Sequence, residues 1–305
     1  MNQDSNETKL LKAAFVAVIG RPSAGKSTLL NSLCGEKVAI VSPVPQTTRN
    51  AVRGIVNRKD GQLVFIDTPG RHNSDKKMNK KLMDVGSKAL GEADLILYVM
   101  DATRKSGEEE EAIARLLSNK PKRLVVAINK TDSKDADVDT ARYFLKSTLP
   151  NLEEDRIVLT SALKKEGMDE LLDLLYSLSP EGEAMYPEDF YTDQEVDFRI
   201  AEIIREKAIN RLKEELPHAI YIEVEDTEIR EEGTRLWVRA FIIVERDSQK
   251  GIVVGKGGEM IKAIRQAAQK DMNRIFDWKV ELDLRVKVGK DWRQDDNTLR
   301  RLIDR

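Results

Sequence analysis

The sequence predicts a doubly wound α/β domain with a mostly parallel sheet, followed by a small α+β domain. The chain has 305 residues, which exceeds the usual span of one domain. Short apolar runs alternate with amphipathic segments in its first half, as in α/β folds, and this alternation stops near residue 180. Hydrophobic residues make up 40% of the chain, enough for two packed cores.

The first half contains five apolar runs with the length of buried strands. The segments between them repeat apolar residues at helical spacing. Strands that alternate with helices form parallel sheets, because each helix returns the chain to the same edge. The predicted strands are residues 15–19, 63–66, 95–100, 124–128 and 157–159, and the predicted helices are residues 26–33, 79–90, 108–117 and 169–178.

The periodicity breaks at residues 179–191, where Pro180, Gly182 and Pro187 stand among acidic residues. We therefore expect a first domain over residues 1–180, a linker over 181–195 and a second domain over 196–305. The second domain reads as α-β-β-α-β: a helix over 196–216, strands over 219–225 and 235–245, a helix over 259–275 and a strand over 280–288.

Cysteine content and hydropathy indicate a cytoplasmic protein. Cys34 is the single cysteine, so the chain cannot form an intramolecular disulfide, and two histidines do not suffice for a zinc site. The N-terminus lacks the apolar segment of a signal peptide, and no run of about 18 apolar residues predicts a membrane span. Nothing in the sequence indicates a dimer seam, so we expect a monomer.

A glycine-rich motif follows the first predicted strand and opens the first helix, as a phosphate-binding P-loop requires. Its backbone N–H groups can surround phosphates, Lys26 can reach the β and γ oxygens, and the Ser27 hydroxyl can bind Mg²⁺. A plain glycine-rich turn would lack the flanking strand and helix. The motif is Gly20-Arg21-Pro22-Ser23-Ala24-Gly25-Lys26-Ser27, and we add Thr28 to the expected nucleotide-binding residues.

The second predicted strand ends in Asp67-Thr68-Pro69-Gly70. A carboxylate at this strand end can hold Mg²⁺ through water, and the Gly70 N–H can meet a γ-phosphate. The same four residues could form an ordinary turn if the P-loop did not precede them.

Asn129-Lys130-Thr131-Asp132 follows the fourth predicted strand and determines which base is bound. The Asp132 carboxylate can accept from the N1–H and 2-amino groups of guanine, which adenine cannot offer, and such a site rejects the wrong base. The motif therefore favours GTP and GDP over ATP. It argues against the alternative of an ATP-using P-loop enzyme such as a small-molecule kinase, which a nucleotide competition assay would decide. Ser161 and Ala162, after the last strand, can supply a backbone N–H to guanine O6.

In this order the motifs resemble those of translation-factor-like GTPases. The resemblance implies a first switch loop at Gln46-Thr47-Thr48-Arg49, where one threonine completes the Mg²⁺ shell; the sequence leaves both Thr47 and Thr48 open, as well as two merely solvated threonines. The expected metal ligands are then Ser27, Thr47, Thr48 and Asp67, and the expected catalytic residues are Lys26, Thr47, Thr48, Asp67 and Gly70.

The second domain contains a GxxG turn of the kind found in type II KH domains, which bind single-stranded RNA. Glycines let the nucleic-acid backbone approach closely. The tail from residue 250 has 14 Lys and Arg residues against 9 Asp and Glu residues, which suits a polyanion, and Trp292 within it could stack or pack. A tight turn before a structural helix is the alternative. The expected RNA-binding residues are Gly255, Lys256, Gly257, Gly258, Lys262 and Arg265.

These motifs, with Tyr186-Pro187-Glu188-Asp189 and residues 201–207 (AEIIREK), resemble the Era family of bacterial GTPases over residues 15–300. No obvious catalytic base follows Asp67-Thr68-Pro69-Gly70, so we expect slow intrinsic GTP hydrolysis. The resemblance implies binding of the 3′ end of 16S rRNA and a role in maturation of the 30S ribosomal subunit. It also implies peripheral association with the inner face of the cell membrane. The alternative is a GTPase regulatory module that acts through a protein or membrane partner.

Two positions depart from the family pattern. Relatives carry Asn where this chain has Ser23, a position linked to potassium-stimulated hydrolysis, so the resemblance does not carry K⁺ activation to this chain. Relatives carry an apolar residue where this chain has Arg71, which could act as an arginine finger or remain in solvent.

Overall fold

The computed structural model describes residues 11–44, 49–59, 61–67 and 89–303. The chain forms two compact units. Among the described residues, the first unit takes in 11–39, 49–59, 61–67 and 89–193, and the second takes in 40–44 and 194–303. The predicted domain ranges remain predictions, but the second unit also includes a short segment of the first half of the chain.

The first unit is built on a seven-stranded sheet in the order β2-β3-β1-β4-β5-β6, with β7 paired to β1. Its strands are β1 (Leu11–Ile19), β2 (Val52–Arg58), β3 (Gly61–Asp67), β4 (Leu95–Asp101), β5 (Leu124–Asn129), β6 (Ile157–Leu159) and β7 (Glu181–Gly182). Its helices are α1 (Lys26–Cys34), α2 (Glu108–Leu117), α3 (Val138–Thr148) and α4 (Met168–Leu178).

Five of these strands run parallel to their neighbours, while β2 and β7 are antiparallel. This confirms the predicted mostly parallel sheet. Every residue of β4 and β5 is buried, as expected of strands with helices on both faces. The sequence prediction missed β2 and α3, and most of the predicted helix over 79–90 lies outside the described residues.

The carboxyl ends of the parallel strands meet at one edge of the sheet. β1 leads there into the P-loop, β3 ends at Asp67, β4 at Asp101 and β5 at Asn129, and Thr160 follows β6. Ligands of open α/β sheets bind at this edge. The fold thus brings together motifs that are far apart in sequence.

The segment predicted as a linker is attached to the first unit. Gln62 is almost fully buried, and its side-chain oxygen accepts from the backbone N–H groups of Met185 and Tyr186 at 2.7 and 2.9 Å. The Ile55 N–H donates to the Tyr191 carbonyl at 2.9 Å. Backbone hydrogen bonding therefore holds these residues against β2 and β3, and the division between the units falls after Asp193.

The second unit has a three-stranded sheet in the order β10-β9-β8, in which β9 is antiparallel to β8 and parallel to β10. Its core-facing residues alternate along β10 and pack against two helices, α5 and α8. Its elements are α5 (Val196–Ile209), α6 (Leu216–Ala219), β8 (Tyr221–Arg230), β9 (Arg235–Val244), α7 (Asp247–Val254), α8 (Glu259–Ile275), β10 (Lys279–Val288) and α9 (Asp296–Ile303).

The predicted order α-β-β-α-β is present, with three further helices, α6, α7 and α9. The predicted helix over 196–216 was too long: α5 ends at Ile209, and Glu214 adopts a left-handed φ of 57° that a helix cannot contain. Leu212 and Leu216 are nonetheless buried, so their helix-like spacing reflects a packed turn. None of the helices among the described residues combines the length and apolar character needed to cross a membrane.

Candidate functional site

The P-loop backbone leaves no room for side chains at two of its glycines. A Cβ on Gly20 would lie 2.4 Å from the Val99 carbonyl oxygen, and one on Gly25 would lie 2.4 Å from Asn129 Nδ2. Gly25 also has a φ of 95°, which L-residues rarely adopt. The predicted glycines are therefore required by close packing against β4 and the guanine motif.

Lys26 lies within the curl of the loop. Its Nζ donates to the carbonyls of Gly20 and Arg21 at 2.9 and 3.0 Å. Burial lowers the pKa of Lys26, and the carboxylates of Asp67 and Glu110 oppose this effect. The ammonium is thus held at the site where phosphate oxygens are expected.

Ser27 and Asp67, two of the expected metal ligands, contact each other directly. The Ser27 hydroxyl donates to Asp67 Oδ2 at 2.7 Å. Asp67 is fully buried, and its Oδ1 has no hydrogen-bond partner among the described residues. Burial raises the pKa of Asp67, against the effects of Lys26 and the Ser27 hydroxyl.

An unsatisfied carboxylate oxygen beside a hydroxyl fits Mg²⁺, which prefers oxygen ligands. The described residues contain no group of three or more His, Cys, Asp or Glu side chains that could hold a metal ion. Phosphate oxygens and water would therefore supply the remaining ligands, as is usual for Mg²⁺ in nucleotide sites. Six residues expected at or near this site lie outside the described residues: Thr47, Thr48, Thr68, Pro69, Gly70 and Arg71.

Asn129 joins three loops of the site. Its Nδ2 donates to the Ala24 carbonyl at 3.0 Å, and its Oδ1 accepts from the Ala162 N–H at 3.0 Å and from the Thr160 hydroxyl at 3.3 Å. Since Asn129 is almost fully buried, each of these bonds satisfies a group removed from water. Asn129 therefore ties the P-loop to the loop that follows β6.

Asp132 and Lys130 follow β5 at the carboxyl edge of the sheet. The Ser161 hydroxyl donates to Asp132 Oδ1 at 2.6 Å, which orients the carboxylate. Lys130 Nζ donates to the Ser23 carbonyl at 2.8 Å and to Asp101 Oδ2 at 2.7 Å, so its stem lies across the P-loop. These side chains line a cavity of about 430 Å³, large enough for a purine nucleoside.

Sequence reasoning missed three residues that line this cavity: Thr103, Ser133 and Leu163. Leu163 lines it with 79% of its surface exposed, where it can cover a base face. An apolar residue directly after Ser161 and Ala162 was the available signal. Thr103 also lines the cavity and is held by Asp101, whose Oδ1 accepts from the Thr103 N–H and hydroxyl.

The remaining P-loop residues differ in exposure. Ser23 is exposed with a left-handed φ of 63°, Pro22 is half-buried and Ala24 is fully buried. Thr28 lines the cavity. The Arg21 side chain is buried and pairs with Glu110, so the predicted nucleotide contact of Arg21 would have to come from its backbone.

The GxxG turn lies between α7 and α8 and is open to solvent. Gly255, Gly257 and Gly258 have φ values of 75°, 59° and 81°. A Cβ on Gly257 or Gly258 would meet nothing within 4 Å. Lys256 and Lys262 are exposed and Arg265 is half-buried, so the predicted RNA-binding residues share one accessible region.

Trp292 belongs to the core and is not available for stacking. It is 2% exposed, its Nε1 donates to the Ala219 carbonyl at 3.1 Å, and its ring packs edge-on against Tyr221. Arg293 pairs with Glu245. The basic tail therefore contributes less accessible charge than its composition indicates.

Comparison with known proteins finds matches to both units of the chain. A family model described as 50S ribosome-binding GTPase matches residues 15–130, and a KH domain model matches residues 215–293. GTPase Era of Treponema denticola is 52% identical over 292 residues, covering 96% of this chain and 99% of the relative. The chain belongs to the GTPase Era family. GTPase Era of Borreliella afzelii is 45% identical over 294 residues, which is 96% of this chain and 100% of that relative.

Two solved structures extend the match to the whole fold. A variant of Aquifex aeolicus Era bound to GDP.AlF4− and Era in complex with MgGDPNP and nucleotides 1506–1542 of 16S ribosomal RNA each have a TM-score of 0.89. Each is 35% identical and covers 95% of this chain and 98% of the solved chain. The predicted P-loop GTPase domain and C-terminal KH domain are confirmed, and the chain is an Era-family GTPase.

Proposed function

We propose that this Era-family GTPase is a GTP-dependent switch that binds the 3′ end of 16S rRNA and assists maturation of the 30S ribosomal subunit. The observation that carries this proposal is the presence of both sites on one chain that matches, over 95% of its length, an Era structure holding MgGDPNP and 16S rRNA nucleotides. The open GKGG turn with exposed Lys256 supports contact with a nucleic-acid backbone. We place the protein in the cytoplasm, with peripheral membrane association.

Mg²⁺ would accompany the nucleotide, held by Ser27 and by Asp67 through water. When bound, the ion supplies positive charge to the β- and γ-phosphates. Lys26 would position the same oxygens, and Asp132 would select guanine. In the proposed switch, GTP and Mg²⁺ order the loops that contain Thr47, Thr48 and Asp67, and GDP releases them.

A short segment supports communication between the switch loop and the KH unit. Ile40 is buried in the core of the second unit. The Val41 N–H donates to Glu206 Oε2 at 3.2 Å, and Asn210 Nδ2 donates to the Val41 carbonyl at 3.4 Å. Thr47 lies six positions further along the chain than Val41, so this segment is the covalent link between the expected switch loop and α5.

The contact continues toward the helix that follows the GKGG turn. Glu206 accepts from Lys207 Nζ at 2.7 Å, and the same ammonium pairs with Asp271 of α8. Coupling between sites requires an element that both of them bias. We propose that α5 is this element.

The function is tested by RNA binding to the purified full chain. A single-stranded RNA with the 16S 3′-end sequence is titrated in the presence of GDP or a non-hydrolysable GTP analogue. We expect tighter binding with the analogue and loss of binding in Gly257→Asp. Gly233→Asp is the matched control, because Gly233 also has a positive φ and open surroundings but lies in the β8–β9 turn.

Absence of RNA binding in both nucleotide states would contradict the proposal and favour action through a protein or membrane partner. Equal loss in Gly257→Asp and Gly233→Asp would assign the effect to the fold of the unit. Equal RNA affinity with GDP and with the analogue would retain RNA binding but exclude the switch.

The coupling is tested separately with Glu206→Gln. This change weakens the bond to Val41 and the pair with Lys207, so we expect the difference in RNA affinity between the two nucleotide states to shrink. Glu202→Gln is the control on the same helix, since Glu202 pairs with Arg205 through two bonds of 2.6 Å. An unchanged difference in Glu206→Gln would refute the coupling.

We also propose that K⁺ does not stimulate hydrolysis, because Ser23 stands at the position occupied by Asn in K⁺-dependent relatives. Ser23 has a left-handed φ of 63°, which Asn tolerates well, so Ser23→Asn should fold normally. We expect equal rates in K⁺ and Na⁺ for the natural chain. Stimulation of the natural chain by K⁺ would reject this proposal.

A further inference from the structure

Arg21, the second residue of the P-loop, directs its side chain into the first unit. The residue is 3% exposed, and its Nε lies 3.1 Å from Glu110 Oε1. Its two terminal nitrogens donate to the carbonyls of Lys105 and Arg104 at 3.2 and 3.3 Å. A guanidinium engaged on three sides in this way braces the loop.

Glu110 supplies the negative charge that offsets the desolvation of the buried Arg21 guanidinium. It stands in the first turn of α2 and is fully buried, whereas Glu108, Glu109 and Glu111 around it are exposed. Its other oxygen accepts from the hydroxyl of Tyr98, which is fully buried on β4. A carboxylate in such a place is strongly disfavoured without a paired charge and a hydrogen bond, and Glu110 has both.

The brace acts on the part of the P-loop that holds Lys26. The Arg21 carbonyl accepts from Lys26 Nζ at 3.0 Å and from the Ala24 N–H at 3.3 Å. Displacement of Arg21 would therefore move an acceptor of the lysine expected to meet the phosphates. Preorganised donors of this kind lose much of their effect when they are misplaced by about 1 Å.

The segment after β4 supports the P-loop at a second point. Asp101 pairs with Lys130 at 2.7 Å, and Lys130 donates to the Ser23 carbonyl at 2.8 Å. Arg21 thus contacts residues 104 and 105, while Ser23 is linked to Asp101 of the same segment. Two points of one short loop are tied to one neighbouring segment, so they shift together.

We propose that Glu110 is a positioning residue for nucleotide binding. Tyr98 orients its carboxylate, the carboxylate holds the Arg21 guanidinium, and Arg21 fixes the P-loop backbone around Lys26. Because these three side chains act through the loop backbone, their loss accelerates release of GTP and GDP alike. Since Lys26 is also an expected catalytic residue, we expect single-turnover hydrolysis of bound GTP to slow as well.

The test compares Glu110→Gln with the double variant Arg21→Met/Glu110→Leu in the full chain. Dissociation of a fluorescent GDP and of a fluorescent GTP analogue is measured with Mg²⁺ at a temperature where each variant is folded, together with unfolding stability and single-turnover hydrolysis. We expect Glu110→Gln to lower the affinity for both nucleotides about tenfold or more, because the variant leaves the buried Arg21 guanidinium without its counter-charge.

The double variant separates positioning from packing. Replacing a buried ion pair by apolar residues often restores stability. We expect stability to return in this variant while nucleotide affinity stays low, since methionine cannot bond the carbonyls of residues 104 and 105. Tyr98→Phe keeps the ion pair, so we expect it to lose nucleotide affinity to an intermediate degree. If Glu110→Gln does not fold, Tyr98→Phe and the double variant together test the proposal.

Glu202→Gln is the control, because it breaks an Arg–Glu pair in the second unit whose arginine is as deeply buried as Arg21. We expect it to leave both nucleotide affinities unchanged. Nucleotide affinity within twofold of the natural chain in Glu110→Gln would overturn the proposal. Recovery of both stability and affinity in the double variant would also overturn it, since Glu110 would then serve packing alone.

Discussion

The P-loop and the GKGG turn are both glycine-rich segments next to a helix N-terminus, but their surroundings are opposite. Around the P-loop, a Cβ on Gly20 or Gly25 would collide with β4 or with Asn129. Around the GKGG turn, Gly257 and Gly258 face open space. The P-loop forms part of a cavity at the carboxyl edge of the sheet, whereas the GKGG turn is an exposed surface.

The difference follows from what each segment has to recognise. A nucleotide site gains from donors that are fixed before the ligand arrives, so its polar groups are buried and bonded to one another. An RNA backbone must approach from solvent, so its turn must stay uncovered. Substitutions in the nucleotide site should therefore affect both folding and binding, whereas substitutions in the GKGG turn should affect binding alone.

The strongest challenge to this division comes from Asp132, which is only half-buried within the nucleotide site. Asp132→Ala leaves two guanine donors without an acceptor, and we expect GTP affinity to fall on the order of 10⁴-fold. Its folding stability should fall by only about 1 kcal/mol, the usual contribution of the single hydrogen bond from Ser161 that the variant loses. Calorimetric titration with GTP and thermal unfolding measure the two quantities.

Asp135→Ala is the control for Asp132, because Asp135 is an exposed carboxylate three residues later. It should leave GTP affinity unchanged. A loss of GTP affinity below tenfold in Asp132→Ala would contradict its assignment as the guanine-binding carboxylate.

The reactivity of two thiols compares a buried position of the first unit with the exposed GKGG turn. Burial raises the pKa of Cys34, at the end of α1, from 9.0 to about 12. At pH 8 its thiolate fraction is about 10³-fold below that of an ordinary cysteine, and alkylation slows in proportion. Lys256→Cys places a second thiol on the exposed turn, where we expect an ordinary rate.

Mass spectrometry of the Lys256→Cys protein after a short iodoacetamide pulse reads both sites. The exposed thiol should be modified first, and unfolding should abolish the difference. Equal rates in the folded protein would contradict the burial of the Cys34 thiol at the end of α1.

The GKGG turn itself contains one position that behaves like the P-loop. Gly255 has φ 75° and ψ 172°, a region that is essentially restricted to glycine, and a Cβ there would lie 2.7 Å from Met260 Cβ. We expect Gly255→Ala to destabilise the protein by about 2–3 kcal/mol. Gly257→Ala, with a left-handed φ but open surroundings, should cost about 1 kcal/mol.

Urea unfolding of the two alanine variants measures this contrast. The pair is matched, because the residues lie two positions apart and receive the same methyl group. If both variants lose the same stability, contact with Met260 contributes nothing and backbone conformation alone sets the cost.

The motifs of the nucleotide site were predictable because their residue types and spacing are fixed by chemistry. Asn129, Asp132, Ser27 and Asp67 occur where the structure brings them together. The type II KH arrangement followed from the order of its strands and helices. In each case a local pattern and its neighbouring elements determined the outcome.

The buried pair of Arg21 and Glu110 was not predictable in this way. Arg21 belongs to the P-loop, where a nucleotide contact was expected, and Glu110 belongs to a run of four glutamates that looks like solvated surface and gives no sign that one of them is buried. The helix α7 was missed because Ile252, Val253 and Val254 are β-branched and favour strands. Tertiary packing decides such positions, and one sequence does not record it.

Replacement of Lys256 should give the smallest change in affinity, and it tests phosphate contact at the exposed turn directly. Lys256→Ala removes one cation near the RNA backbone, so we expect RNA affinity to fall several-fold and the slope of log affinity against log salt to decrease by about 0.7. Folding stability should not change, because the side chain is exposed. Lys213→Ala, an exposed lysine elsewhere in the second unit, should change neither the RNA affinity nor the slope. If both lysines reduce the slope equally, the charge of the whole unit attracts RNA, and the GKGG turn has no special role in phosphate contact.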